Sequence, residues 1–215
     1  MARLRGVITD WGGVMTNPIV HSVNDWLAAE GIEPASYRTV MRRWVRQAYD
    51  EDAEVNPIHA LERGECTNEE FERALAGELV LVSGGPVASV GLLGRMFAGS
   101  RLDEAMIELF RQLRTGGVPT GMLSNSWGGG YPRELFPELF DAVVISAEVG
   151  MRKPEPRIFR HAAALLGLTP AECVFIDDIE ANITAAEQLG FTGVLHSAPA
   201  GTPGRVAELL GIRLG

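Results

Sequence analysis

Leu4-Arg5-Gly6-Val7-Ile8-Thr9-Asp10-Trp11-Gly12-Gly13-Val14 opens the chain with a short apolar run that delivers an aspartate into two glycines. Residues 4–9 read as a buried strand, and Gly12-Gly13 break it. An acid at a strand end, followed by glycines, lets a ligand approach the backbone closely and offers amide donors to an anion. The same residues also suit an aspartate that does no more than stabilise a tight turn.

From about residue 100, strands and helices alternate. Apolar runs at 119–123, 142–146, 173–176 and 193–195 read as strands. Ser100 is the expected cap of a helix through Met106, Leu109, Phe110 and Leu113. A second helix carries Ile158, Phe159, Ala162, Leu165 and Leu166, and Gly167 ends it. Such alternation predicts an α/β fold, a parallel sheet covered on both faces. Residues 18–96 have helical periodicity instead, with helices expected over 22–30, 35–50 and 67–80. Thr67 is the N-cap of the last and Glu70 stands at its capping-box position. The simplest account is a helical module, residues 17–98, inserted into a core of residues 1–16 and 99–215. The hinges would lie near Asn17-Pro18 and Ala98-Gly99.

Ligands of open α/β sheets bind beyond the carboxyl ends of the strands, so the residues after each strand carry the functional reading. Ser124-Asn125-Ser126-Trp127 places a hydroxyl and amides there, which suit phosphate oxygens and equally an ordinary turn. Gly150-Met151-Arg152-Lys153-Pro154-Glu155-Pro156 places Lys153 before a helix that a proline can start, where an anion would be stabilised by both cation and helix terminus. The chain has 18 arginines and this single lysine, so Lys153 marks a position that needs a compact ammonium. Phe175-Ile176-Asp177-Asp178 sets two adjacent acids after a buried run, which is costly without a cation or donors. One of them, Asp177, also suits the cap of the next helix, while a few hard oxygen ligands suit Mg²⁺. In this order the segments supply a nucleophile, anion donors, charge neutralisation and a metal site, the set that phosphoryl transfer requires.

Composition narrows the partners. A net charge of −9 over 215 residues argues against polyanions such as nucleic acid. No run approaches the roughly 18 apolar residues of a membrane span. The N-terminal apolar stretch is too short for a signal peptide. Cys66 and Cys173 form no CxxC pair, so the expected state is two reduced thiols in a cytoplasm. His21, His59, His161 and His196 show no ligand spacing. Trp44, with Arg42, Arg43 and Arg46, suits either the entrance of a site or, more simply, an amphipathic helix with a solvated basic face. Trp11 suits either packing or a pocket wall.

The four segments resemble motifs I to IV of the haloacid dehalogenase superfamily, and the chain is similar to its subfamily IA hydrolases. Residues 123–190 resemble the N-terminal phosphatase domain of soluble epoxide hydrolase. Glu62-Arg63-Gly64-Glu65-Cys66-Thr67 resembles the Gly-Glu-Ile-Thr stretch common in that group's C1 caps. The resemblance implies a Rossmann-like three-layer core with an α-helical C1 cap. It implies an aspartyl-phosphate at Asp10, and Mg²⁺ held by Asp10, Asp178 and the Gly12 carbonyl, with Asp177 beside the metal or behind its ligands. Ser124 and Lys153 would hold the phosphoryl group, with Gly12, Gly13 and Asn125 lining the substrate. The implied substrate is a small phosphorylated metabolite.

The chain departs from the family at Gly12, where active phosphatases usually carry a second aspartate. That acid is worth roughly 10²–10⁴-fold, so slow turnover or a good leaving group is expected. Two alternatives follow. One is a binding protein that keeps Mg²⁺ and phosphate but does not turn over. The other is a 2-haloacid dehalogenase, which Asp177-Asp178 disfavours. Phosphonate hydrolysis through a cap lysine is disfavoured because residues 17–98 contain no lysine.

Overall fold

The structure is a computed structural model that describes residues 3–47, 56–128, 130–197 and 201–215. Its elements in chain order are β1 (Gly6–Thr9), α1 (Ile19–Glu30), α2 (Pro34–Gln47), α3 (Pro57–Glu62), α4 (Asn68–Glu78), α5 (Leu92–Met96) and α6 (Glu104–Thr115). There follow β2 (Thr120–Ser124), α7 (Phe136–Leu139), β3 (Ala142–Ile145), α8 (Ser146–Val149), α9 (Pro156–Leu165), β4 (Cys173–Asp177), α10 (Glu180–Gln188), β5 (Thr192–Leu195) and α11 (Thr202–Leu210).

Among the described residues the five strands form one parallel sheet in the order β3-β2-β1-β4-β5. Period-two alternation splits their side chains between two cores. Val7, Met122, Ile145, Val174 and Ile176 pack with Met106 and Phe110 of α6 and Val206 of α11. Ile8, Leu123, Val144 and Phe175 pack with Ile158 and Phe159 of α9 and Ile183 of α10. Both faces of the sheet are therefore covered, which explains why the strands read as unbroken apolar runs rather than alternating ones. Phe159, Phe175 and Phe191 meet at centroid distances of 5.3 to 6.2 Å, a geometry worth about 0.5–1.5 kcal/mol per pair beyond area burial. This is the expected Rossmann-like α/β architecture.

The chain divides into two compact units. The sheet unit comprises residues 1–18, 101–125 and 131–215, and the helical unit residues 19–100 and 126–130. The short segment 126–130, which follows β2, therefore clusters with the helices. In the sheet unit, the chain's departure and return are tied together. Thr16 bridges Leu102, the Asn17 amide donates to the Arg101 carbonyl at 2.9 Å, and the Arg101 amide donates to Asn17 Oδ1 at 2.8 Å.

The helical unit has its own core of Trp26, Leu27, Trp44, Leu61, Phe71, Leu75, Leu92 and Met96. Thr67 and Glu70 form the expected capping box at α4. Trp44 is buried edge-on to Phe71 at 5.6 Å, and Arg43 pairs with Glu78 at 2.7 Å, so Trp44 packs in the core of the helical unit. Positions 48–50 of the expected second helix, and the side chain of Arg46, lie outside the described residues. One cap differs from expectation. Asp103, not Ser100, caps α6, its Oδ1 accepting the Met106 amide at 3.0 Å, because Arg101 and Leu102 are engaged in the bridge to Thr16 and Asn17. Neither cysteine is in a disulfide. No helix among the described residues is long and apolar enough to cross a membrane.

Candidate active site

Strand order reverses around β1, whose hydrogen-bonded neighbours are β2 and β4. The carboxyl ends of these three strands form the topological switch point at which such sheets bind ligands. Parallel register sets Thr9 opposite both Met122 and Ile176, so Asp10, Ser124 and Asp177 emerge along one edge.

Lys153 is the centre of the arrangement. Its side chain is 1% exposed, and Nζ lies 2.9 Å from Asp10 Oδ1 and 2.7 Å from Asp177 Oδ2. A lone buried ammonium would cost several kcal/mol, so the two carboxylates are needed to hold it there. Burial alone would lower the Lys153 pKa, but Asp10 and Asp177 outweigh burial and raise it above the ordinary lysine value. Its backbone is fixed by Asn125: the Lys153 amide donates to Asn125 Oδ1 at 2.8 Å, and Asn125 Nδ2 donates to the Lys153 carbonyl at 3.1 Å.

Asp177 is fully buried. Oδ1 accepts from the Ile179 amide at 2.8 Å and from Asn182 Nδ2 at 3.0 Å, while Oδ2 accepts from Lys153 and from the same Asn182 nitrogen at 3.1 Å. Four donor contacts match the roughly four lone-pair sites of a carboxylate. Asp177 thus caps the turn into α10 and anchors Lys153. Asp178 is the most accessible of the three acids. Its Oδ2 would lie 2.3 Å from a Cβ placed on Gly13, whose φ is +79°. Only glycine suits that position, by backbone conformation and by space.

Asp10 Oδ1 also accepts the Trp11 amide at 2.7 Å, and the Gly13 amide donates to Thr16 Oγ1 at 3.1 Å. Burial first, and then the nearby Asp177 and Asp178 charges, push the Asp10 carboxyl up to about 7 against the pull of Lys153. Burial and Asp177 push Asp178 up to about 6. Oxygens of Asp10, Asp177 and Asp178 lie within 4.8 Å of one another. Three carboxylates facing one ammonium leave an excess of negative charge in a poorly solvated place, and hard oxygen donors in that number fit a divalent cation such as Mg²⁺.

Of the residues singled out in the sequence, Asp10, Asp177, Asp178, Lys153 and Asn125 are brought together by these contacts. Ser124 is buried at the end of β2 with its Oγ 2.9 Å from Tyr131 Oη. Gly12 lies in the turn after Asp10. Trp11 is buried in the sheet unit, edge-on to Tyr131 at 6.1 Å and to Phe136 at 5.7 Å. His196 is buried, with Nδ1 2.9 Å from Thr202 Oγ1, and His21 is exposed on α1. Tyr131 was missed by sequence reasoning. It follows a run of glycines and has no periodic context, so no local signal pointed to it.

The family model for haloacid dehalogenase-like hydrolases matches residues 4–190. The chain belongs to this hydrolase family. Mouse acyl-CoA dehydrogenase family member 10 is 28% identical over 216 residues, 98% of this chain and 19% of that protein. The sesquiterpene phosphatase astK of Aspergillus oryzae is 29% identical over 155 residues, 70% of this chain and 77% of its own length. Rat bifunctional epoxide hydrolase 2 is 27% identical over 112 residues, 48% of this chain and 20% of that protein. The hydrolase chain thus spans about a fifth of two of these relatives. Among solved structures, a family enzyme of Bacteroides thetaiotaomicron, determined as its magnesium complex, superposes with a TM-score of 0.65 at 20% identity. The match covers 90% of this chain and 93% of that one and shows the shared fold.

Proposed function

We propose that this hydrolase is a Mg²⁺-dependent phosphatase acting on a small phosphomonoester. The observation that carries the reading is the buried Lys153 ammonium shared by Asp10 and Asp177, with Asp178 beside them. Asp10 is the nucleophile: one carboxylate oxygen bonds to phosphorus as the bond to the leaving oxygen breaks, giving an aspartyl-phosphate that water then hydrolyses. Lys153 and the Ser124 hydroxyl hold the phosphoryl oxygens. Asp10 and Asp178, with the Gly12 carbonyl, would hold Mg²⁺, which supplies electrostatic stabilisation to the transferring group. Asp177 and Asn125 keep Lys153 in place. The helical unit is read as a cap that selects the substrate, and the protein as cytoplasmic.

The relative named as a sesquiterpene phosphatase supports this reading. A second reading rests on Gly12. Without a general acid there, the site would also serve a protein that binds phosphate without turnover. Hydrolysis of p-nitrophenyl phosphate with and without Mg²⁺ separates them, since that substrate's leaving group needs no proton donor. The phosphatase reading expects turnover that requires Mg²⁺ and is lost in Asp10→Asn. Tight Mg²⁺ and phosphate binding with no turnover would give the site to the binding reading.

A further inference from the structure

Tyr131 stands outside the four motif segments, yet its hydroxyl meets the Ser124 hydroxyl at 2.9 Å. Either oxygen can donate in that contact. The chemistry of the site decides the direction. Ser124 has one hydrogen and two acceptor positions. The oxygens of an ionised phosphoryl group only accept, so a Ser124 that binds phosphate must spend its one hydrogen on the ligand. Tyr131 must then be the donor. A phenol donating into Oγ also polarises the serine O–H toward the ligand.

The tyrosine ring is positioned for this by aromatic contacts. It lies edge-on to Trp11 at 6.1 Å and against Phe136 at 6.2 Å. Trp11 in turn donates its amide to Asp10 Oδ1 at 2.7 Å. One aromatic cluster therefore links the turn after β1, which carries the nucleophile, to the residue at the end of β2.

We propose that Tyr131 is a positioning residue that orients the Ser124 hydroxyl for the phosphoryl group. The inference rests on the phosphatase reading of the site. Tyr131→Phe keeps the ring and its packing and removes only the hydroxyl.

The test is a double-mutant cycle of wild type, Tyr131→Phe, Ser124→Ala and the double variant. Each holoenzyme, in excess Mg²⁺, is measured for inorganic phosphate affinity by calorimetry and for p-nitrophenyl phosphate kinetics. Tyr131→Phe is expected to weaken phosphate binding and lower kcat/KM about fivefold, the scale of one hydrogen bond. It should cost nothing further in the Ser124→Ala background, because its effect runs through Ser124. An equal loss in both backgrounds would make Tyr131 a structural residue only and overturn the proposal, as would a Tyr131→Phe enzyme equal to wild type. A wild-type protein that neither binds phosphate nor turns over the substrate would remove the phosphatase reading itself, and this inference with it.

Discussion

Gly12 is the residue at which this site departs most from its family's pattern. A leaving alkoxide needs a proton, and no carboxyl stands two residues after Asp10 to give one. The rate of this enzyme should therefore depend steeply on leaving-group acidity. Gly12→Asp is expected to speed hydrolysis of an alkyl phosphate by about 10²-fold, the lower end of the range for general acid–base help. The gain for p-nitrophenyl phosphate should be much smaller. Comparing kcat/KM for the two substrates in wild type and variant checks this; equal gains on both would mean that Gly12 limits something other than proton transfer. At the neighbouring position no such exchange is open, because Gly13 is held against Asp178 at a positive φ.

At the scale of elements, the strand ends act as a set because each is braced by a neighbour. Asn125 grips both the amide and the carbonyl of Lys153, so the end of β2 fixes the loop before α9. Asn125→Ala should leave Lys153 charged but less well placed, lowering kcat/KM for p-nitrophenyl phosphate about tenfold. This is the scale of one to two hydrogen bonds. Thermal unfolding with and without Mg²⁺ would show whether the fold is spared; unchanged kcat/KM would mean that Asn125 does not position the lysine. The strands were legible in the sequence because both faces of the sheet are buried, which writes them as continuous apolar runs. Asp10, Asp177 and Asp178 stood out because they end apolar runs, and Lys153 because it is the single lysine, set before a helix that a proline can start. The short helices α5, α7 and α8 were not, since four or five residues complete little more than one turn and carry no period. Ser100 misled because the true cap of α6 is chosen by a distant pairing with Thr16. Tyr131 was invisible for a similar reason: its meaning comes from the end of β2, and its own neighbours give no sign of it.

At the scale of the molecule, crowding three acids into a poorly solvated site carries an electrostatic cost. The carboxyls of Asp10 and Asp178 are raised to about 7 and about 6 from the ordinary 3.8. A raised acid favours the protonated folded state, so the contribution of these two groups to stability is present below pH 4. It is lost as pH climbs toward 7. Bound Mg²⁺ prefers the ionised carboxylates and should offset that loss. Differential scanning fluorimetry at pH 5 and pH 8 is expected to show a small Mg²⁺-induced rise in Tm at pH 5 and a much larger one at pH 8. A shift of equal size at both would mean that Asp10 and Asp178 do not hold the metal.

In the proposed reaction Asp10 takes the phosphoryl group. The missing acid at Gly12 also removes the usual activator of the hydrolytic water, so the aspartyl-phosphate should persist long enough to trap. The direct measurement is acid quench of the enzyme during turnover of p-nitrophenyl phosphate with Mg²⁺, followed by borohydride reduction and peptide mass spectrometry. We expect Asp10 to be recovered as homoserine in the quenched wild type, and no such product without substrate or in Asp10→Asn. Turnover with Asp10 unmodified, or modification of another residue, would contradict the account.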